Sequence, residues 1–146
     1  MWIKNTLAVL AGLAVALTII LLAITANKAW FDELEYIELA KKADVFVYWQ
    51  SILRQAPDNF FIALLVSSGI GAMIGGVTTA FLVKKARQAY AILVGAILFS
   101  GAILDMFIFK HPTWYQISLI LIFFPCAWLG GKIVDVLIEK RIMADK

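Results

Sequence analysis

Residues 60–83 read FFIALLVSSGIGAMIGGVTTAFLV, a stretch without a single charged side chain. A helix needs roughly 20 apolar residues to cross the hydrocarbon core of a bilayer, and this stretch is long enough. Three other runs have a similar length and a similar apolar content: residues 3–26, 90–109 and 113–131. The fourth helix is expected to continue as a charged cytoplasmic extension to residue 141. The sequence therefore predicts a polytopic, all-α membrane protein with four spans.

The composition fits a single membrane domain over residues 1–146, since 63% of the residues are hydrophobic. The spans and their connections use nearly all of this length, so we expect no separate soluble catalytic domain. Lys4 followed by an apolar run is also typical of a signal peptide. The apolar core from Leu7 to Ile24 is longer than a usual signal-peptide core, so we expect the first span to be retained as a membrane helix.

The distribution of basic residues predicts the orientation of the chain, because lysine and arginine favour the cytoplasmic side of short membrane loops. One set of segments carries Lys4, Lys84, Lys85, Arg87, Lys132, Lys140, Arg141 and Lys146, whereas the basic residues of the other set share their loops with acidic residues. We expect both termini to be cytoplasmic in a bacterial inner membrane, with residues 28–58 and the Lys110 turn outside. The net charge of +3 then indicates membrane lipids as partners rather than nucleic acid.

The segment between the first two spans is predicted to be an amphipathic, extracytoplasmic helical segment over residues 32–55. Asp32 and Glu35 suit the first turn of a helix, and Pro57 cannot continue one. Aromatic residues at this side of the membrane are expected to form an interfacial belt: Trp30, Tyr48, Trp49, Trp114 and Tyr115.

Small residues recur every four positions in the second span and predict close helix packing. A helix face without bulky side chains lets two backbones approach each other. Gly95 in the third span offers a partly matching surface. The packing partner could belong to the same chain or to a second copy. The two rows of small residues are Ser67, Gly71, Gly75 and Thr79, and Ser68, Ala72, Gly76 and Ala80.

Two features of the third and fourth spans are candidates for function. Asp105 is the one acidic residue inside a predicted span, and it precedes Lys110 and His111, the sole histidine. This possible polar site could be an interfacial cluster or a proton or cation site. Pro125, inside the fourth span, is predicted to kink the helix.

The residue inventory argues against an enzyme. One histidine and one cysteine, Cys126, are too few for a protein-built zinc site, and no G-x-S-x-G element is present. We therefore predict no catalytic residue, no metal ligand and no cofactor. Cys126 is interpreted as a small hydrophobic side chain.

Three short motifs resemble an uncharacterised bacterial family of small four-span inner-membrane proteins. They are a G-A-x-x-G-G second helix at residues 71–76, an H-P-x-W-[FY] turn at residues 111–115, and a P-x-A-x-L-G fourth helix at residues 125–130. The resemblance covers about the last 90 of the 146 residues. It implies a bacterial membrane protein of this topology and implies no activity.

These observations predict an antiparallel four-helix transmembrane bundle. The leading functional hypothesis is a non-catalytic accessory subunit, or a bundle that binds a partner membrane protein or forms a homo-oligomer. The alternative is a small transporter or channel for a lipid-like or cationic solute that uses Asp105 and the glycine-lined second helix. A third hypothesis, a membrane enzyme acting on lipid, requires Asp105 and His111 to face one pocket.

Overall fold

A computed structural model describes residues 2–27 and 44–144, and within these two ranges the chain forms helices and no strand. The helices are α1 (Trp2–Asn27), α2 (Val45–Gln55), α3 (Asp58–Leu82), α4 (Arg87–Ile108) and α5 (Thr113–Ala144). Four stretches are long and apolar enough to cross a membrane: Ile3–Ala26, Asp58–Leu82, Arg87–Ile108 and Thr113–Met143. The predicted all-α class with four candidate membrane helices is confirmed, and it is consistent with a multi-pass membrane protein.

Local sequence explains where the helices begin and end. Pro57 precedes α3 in an extended conformation, and its carbonyl oxygen accepts a hydrogen bond from the amide of Phe60 at 3.0 Å. Ala86 precedes α4 with a φ of 53°, in the left-handed region that reverses the chain between α3 and α4. At its other end, α4 stops at Ile108, and Phe109 follows in an extended conformation, with its amide donating to the carbonyl oxygen of Asp105 at 2.8 Å.

The amphipathic segment is described only from residue 44 onward. Asp44 is the N-cap of α2, and its carboxylate accepts a hydrogen bond from the amide of Val47 at 3.2 Å. Ile52 and Leu53 are buried, whereas the polar side chains of Ser51 and Arg54 are exposed. This helix is therefore amphipathic. The predicted start at Asp32 and Glu35 lies outside the described residues.

Helix α3 lies at the centre of the bundle and packs against α1, α4 and α5. A Cβ atom at Gly75 would lie 2.7 Å from the carbonyl oxygen of Gly12 in α1. A Cβ atom at Gly76 would lie 2.7 Å from the carbonyl oxygen of Ala127 in α5. The two rows of small residues on α3 thus allow two neighbouring backbones to approach it closely.

One end of the bundle contains the turn between α3 and α4, and we call it the Lys85 end. There the amide nitrogen of Asn5 in α1 donates to the Tyr90 hydroxyl in α4 at 2.9 Å. Nη1 of Arg87 lies 3.7 Å from Oδ1 of Asp135 in α5. These contacts join α1 to α4 and α4 to α5 at this end.

The opposite end contains the connection between α4 and α5, residues 109–112, and we call it the His111 end. Helix α2 covers part of it, since the rings of Phe46 and Phe109 lie 5.0 Å apart. Ile52 and Leu53 belong to the same buried cluster as Phe60 and Phe61 of α3. The short helix is thus part of the hydrophobic core and not merely a connection.

Candidate functional site

A cavity of about 330 Å³ lies between α1 and α4, towards the His111 end. The two helices are joined at the Lys85 end by the Asn5–Tyr90 hydrogen bond. Farther along the two helices, the facing side chains enclose open space. A Cβ atom added at Gly101 of α4 would have no neighbouring atom within 4 Å. The cavity is thus the gap that remains where α1 and α4 are no longer in contact.

Most of the cavity wall is apolar, and all five described helices contribute to it. Helix α1 supplies Ile20, Leu21 and Ile24, and α2 supplies Trp49 at the His111 end. The remaining apolar wall residues are Leu64, Leu98, Gly101, Ala102, Leu119 and Phe123. Such a surface can accommodate an aliphatic or aromatic group and offers it no hydrogen bond.

The polar part of the cavity is built around His111. Its Nδ1 lies 3.1 Å from the carbonyl oxygen of Phe109, and its Nε2 lies 3.2 Å from Oδ2 of Asp105. The His111 side chain is only 3% exposed, whereas that of Asp105 is 42% exposed. The imidazole is therefore buried between two oxygen acceptors, and the carboxylate borders the open space.

The positions of these acceptors determine how many protons the pair holds. A carbonyl oxygen can only accept a hydrogen bond, so Nδ1 of His111 must carry a proton to bond with Phe109. A second proton is then needed between Nε2 and the Asp105 carboxylate, whichever of the two carries it. In either case the pair has no net charge, which lowers the cost of placing it in an apolar setting.

Aromatic side chains fix the orientation of the imidazole. The rings of His111 and Tyr115 are stacked at 5.4 Å with an interplanar angle of 21°. Phe61 of α3 meets His111 edge-on at 6.2 Å. The backbone oxygen of His111 accepts a hydrogen bond from the Gln116 side chain at 3.3 Å. The connection between α4 and α5 is thus tied to α3 and to the first turn of α5.

The predicted polar site is partly assembled in the structure. Asp105 and His111 are in contact and both line the cavity. Lys110 is exposed, and within residues 2–27 and 44–144 it forms no ion pair with a carboxylate. Tyr115, which is also predicted for the interfacial belt, is buried beside His111, and its ring contacts both that side chain and Phe61.

Among the predicted packing residues of α3, Ser68 lines the cavity, whereas several others contact α1. The Thr79 hydroxyl donates to the carbonyl oxygen of Ala8 at 3.2 Å, and Gly71 faces the carbonyl oxygen of Ala16. The hydroxyl of Ser67 donates to the carbonyl oxygen of Leu64 in its own helix, at 2.9 Å. Thr79 and Gly71 thus connect α3 to α1 of the same chain.

Two other predicted positions lie in contacts involving α5. A Cβ atom at Gly95 would lie 2.7 Å from that of Ala127, so this glycine allows α4 to approach α5. Helix α5 continues through Pro125 as one element, and Pro125 itself is exposed on the outside of the bundle. The predicted kink at Pro125 stays a prediction.

Sequence reasoning did not single out Phe61, Trp49 or Ser68 as site residues. They lie on α3 and α2, far along the chain from Asp105. Tyr115 is four positions after His111, which is about one helical turn. This spacing is the one signal in the sequence that connects the predicted site to a residue that packs against it.

In the part of the chain that the structure describes, no group of three or more His, Cys, Asp or Glu side chains could hold a metal ion. Comparison of the chain with protein-family models, curated proteins and solved structures finds no significant match. The resemblance to the bacterial four-span family therefore stays a prediction.

Proposed function

We propose that this protein is a non-catalytic integral membrane protein that binds a small lipid-like molecule. The apolar part of the ligand occupies the cavity between α1 and α4, and its polar end lies beside Asp105. The observation that carries this proposal is the combination of apolar walls with one polar end in a single cavity. Binding pockets for small molecules commonly combine these two properties.

The volume restricts the kind of ligand. About 330 Å³ lies near the lower end of known ligand pockets, roughly 300–1,000 Å³. One short alkyl chain or one small ring system fits this space, whereas the two acyl chains of a phospholipid do not. A transporter or carrier for a small amphiphile agrees better with the cavity than a continuous ion channel does.

The polar groups restrict the head of the ligand. Oδ2 of Asp105 faces His111, which leaves its other carboxylate oxygen for a ligand, and the carboxylate is partly exposed. An oxygen of this kind accepts hydrogen bonds, so a head group that donates them, such as an amine or an alcohol, is favoured over a carboxylate.

The arrangement of His111 argues against the third hypothesis, a membrane enzyme. Asp105 and His111 do face one cavity. However, Nδ1 is engaged by the Phe109 carbonyl and Nε2 by Asp105. Neither ring nitrogen is free to take a proton from a nucleophile, which is what a general base must do.

The partner-binding hypothesis stays a prediction. It rests on abundant packing surface combined with few polar interior residues, and the small-residue faces of α3 pack against α1 and α5 of the same chain. An accessory subunit would therefore have to use the outer faces of the bundle. Gentle extraction from native membranes tests this hypothesis, because a subunit co-purifies with a companion chain or as a multimer, and a lone monomer contradicts it.

The proposed topology is an antiparallel bundle with both termini in the cytoplasm of a bacterium and α2 outside. It is supported by contacts that run in opposite directions along neighbouring helices, since Ala8 meets Thr79 and Ala16 meets Gly71. It is also supported by the basic residues of the Lys85 end, which include Lys84 and Arg87.

Quenching of tryptophan fluorescence tests ligand binding, because Trp49 lines the cavity. The probe is decylamine carrying a bromine atom on its chain, titrated into the purified protein in detergent. We expect saturable quenching that is lost in a Trp49→Phe variant. Gly101→Leu fills the cavity and should weaken binding at least tenfold, about 1.4 kcal/mol. Ser100→Leu, on the exposed side of the same helix, is the matched control and should bind normally.

Replacing the carboxylate tests the role of the polar end. Asp105→Asn should reduce the preference for decylamine over decanol, while cavity filling by Gly101→Leu should weaken both. Quenching that is linear in probe concentration, or equal in the Gly101→Leu and Ser100→Leu variants, would show that the probe only partitions into the detergent micelle. That result would overturn the proposal.

A further inference from the structure

A second pocket, of about 290 Å³, lies at the Lys85 end of the bundle. It is lined by Lys4 and Asn5 of α1, by Leu82 of α3, and by Lys84 and Lys85 of the following turn. These residues come from two segments that are far apart in the chain, and the fold brings their basic side chains around one space. The pocket is separate from the cavity at the opposite end.

The charges around this pocket are not balanced by the protein. Among the described residues, none of the three lysines forms an ion pair. The nearby carboxylate of Asp135 is engaged instead by Arg87. Three ammonium groups that share one pocket repel each other, and an anion bound between them would relieve this repulsion.

The surroundings of the pocket indicate what kind of anion fits. Leu82 lines the pocket and is itself exposed on the outside of α3. Phe81, Ile3 and Leu7 are exposed on the same two helices, in the stretches that are apolar enough to span a membrane. A molecule whose head group lies among the lysines can therefore extend an apolar chain along these helices.

We infer that this pocket binds the phosphate-bearing head group of an anionic phospholipid, and we call it the lysine pocket. Phosphate suits it because lysine is a compact donor of hydrogen bonds to phosphate oxygens. Basic pockets between membrane helices on the cytoplasmic side are known to select anionic head groups. The inference does not depend on the cavity between α1 and α4, since no residue lines both that cavity and the lysine pocket.

Lipid binding to the full-length protein tests this inference. The protein is purified in a zwitterionic detergent and titrated with short-chain phosphatidylglycerol or phosphatidylcholine, and bound lipid is counted by native mass spectrometry. We expect phosphatidylglycerol to bind more tightly. The K4Q/K84Q/K85Q variant should lose about fivefold in affinity per lysine, so roughly a hundredfold for the three.

A matched control separates the pocket from overall charge. The K110Q/K132Q/K140Q variant removes the same number of exposed lysines outside the pocket and should keep the affinity for phosphatidylglycerol. Equal loss in the two variants, or equal affinity of the natural protein for the two lipids, would overturn the inference. Circular dichroism verifies that both variants remain helical.

A titration with inorganic phosphate distinguishes the two sources of the anion. Weak binding of free phosphate, together with tight binding of phosphatidylglycerol, supports a lipid site in which the acyl chain contributes. If free phosphate competes fully with the lipid at comparable concentration, the pocket is a site for a soluble anion, and the assignment to lipid is overturned.

Discussion

His111 is the residue on which the contacts of the α4–α5 connection converge. Its ring is buried, stacked on Tyr115, and bonded to the Phe109 carbonyl and to Asp105. Its backbone oxygen accepts a hydrogen bond from Gln116. One side chain thus stabilises the turn and also forms the polar end of the cavity.

Replacing His111 by phenylalanine separates these two roles. The new ring keeps the contact with Tyr115 and loses both hydrogen bonds, which leaves the Phe109 carbonyl without its partner. We expect the free energy of unfolding in detergent to fall by about 1–3 kcal/mol. The control is Lys110→Gln, an exposed neighbour that should have little effect. A His111→Phe protein as stable as the control would contradict this account of the turn.

Glycines at helix contacts provide a second test at the residue scale. A Cβ atom at Gly12 would collide with Thr79, and one at Gly130 would collide with the carbonyl oxygen of Met73, whereas one at Gly101 would meet nothing. We expect Gly12→Ala and Gly130→Ala each to destabilise the fold by about 1–3 kcal/mol. Gly101→Ala should be neutral or stabilise it by about 0.5–1 kcal/mol.

Thermal unfolding followed by circular dichroism measures all three glycine variants. The order of the unfolding temperatures of the three variants is the result to compare, because the detergent shifts all of these temperatures together. A Gly101→Ala variant that is less stable than Gly12→Ala would mean that the described helix contacts are wrong.

The sequence indicates the polar residues of the site but not the cavity. Asp105 stands out as the one acidic residue inside a predicted span, and His111 stands out as the sole histidine. The two residues are six positions apart, so the sequence predicts that they lie close together. Phe61 and Trp49 join them only through tertiary packing of α3 and α2. A gap between two helices leaves no periodic signal in the sequence, so the cavity could not be foreseen.

At the scale of the elements, α2 is the shortest of the five described helices and covers part of the His111 end. Leu53 is 5% exposed, while Val47 on the opposite face is 57% exposed. Leu53→Ala should therefore lower the free energy of unfolding by about 2–5 kcal/mol through the cavity that it leaves. Val47→Ala should have a much smaller effect. Equal effects of the two substitutions would show that α2 does not pack on the bundle.

Helix α5 contains Pro125 two residues before a tight contact, because Ala127 meets Gly76 and Gly95. Proline offers no amide hydrogen to the carbonyl oxygen of Leu121. Pro125→Ala restores this hydrogen bond and should stabilise the protein by about 1 kcal/mol.

An exposed position of the same helix, Leu129, supplies the control for Pro125. If Pro125→Ala destabilises the protein more than Leu129→Ala does, the proline shapes the helix for the Ala127 contact. The predicted increase in the stability of Pro125→Ala is then wrong. Unfolding temperatures in one detergent are sufficient for this comparison.

Hydropathy predicts where the helices lie in the sequence better than it predicts which helices pack against each other. The four long helices begin and end within three residues of the predicted bounds, since α5 continues to Ala144 where the charged extension of the fourth span is predicted to reach residue 141. This agreement arises because apolar length is a property of each segment alone. Which helix covers each face of α3 depends on several segments at once, and the small-residue rows left that choice open.

At the scale of the whole molecule, the central position of α3 explains why a cavity exists. Helices α1, α4 and α5 all pack against α3, whereas α1 and α4 make fewer contacts with each other. They meet through Asn5 and Tyr90 at the Lys85 end, and they leave the cavity at the His111 end. The two ends also differ chemically: one has lysines that form no ion pair with any described residue, and the other has a neutral Asp105–His111 pair.

The central claim, that the chain crosses the bilayer four times with the Lys85 and His111 ends on opposite sides, is tested most directly by cysteine labelling in intact cells. In a Cys126→Ala background, single cysteines replace Arg54, Lys85, Lys110 or Lys140, and the cells are treated with a membrane-impermeant maleimide. We predict that cysteines at positions 54 and 110 are labelled from outside, and that those at 85 and 140 are labelled only after permeabilisation. Labelling of positions 85 and 110 from the same side would contradict the account, because α4 would then not cross the membrane.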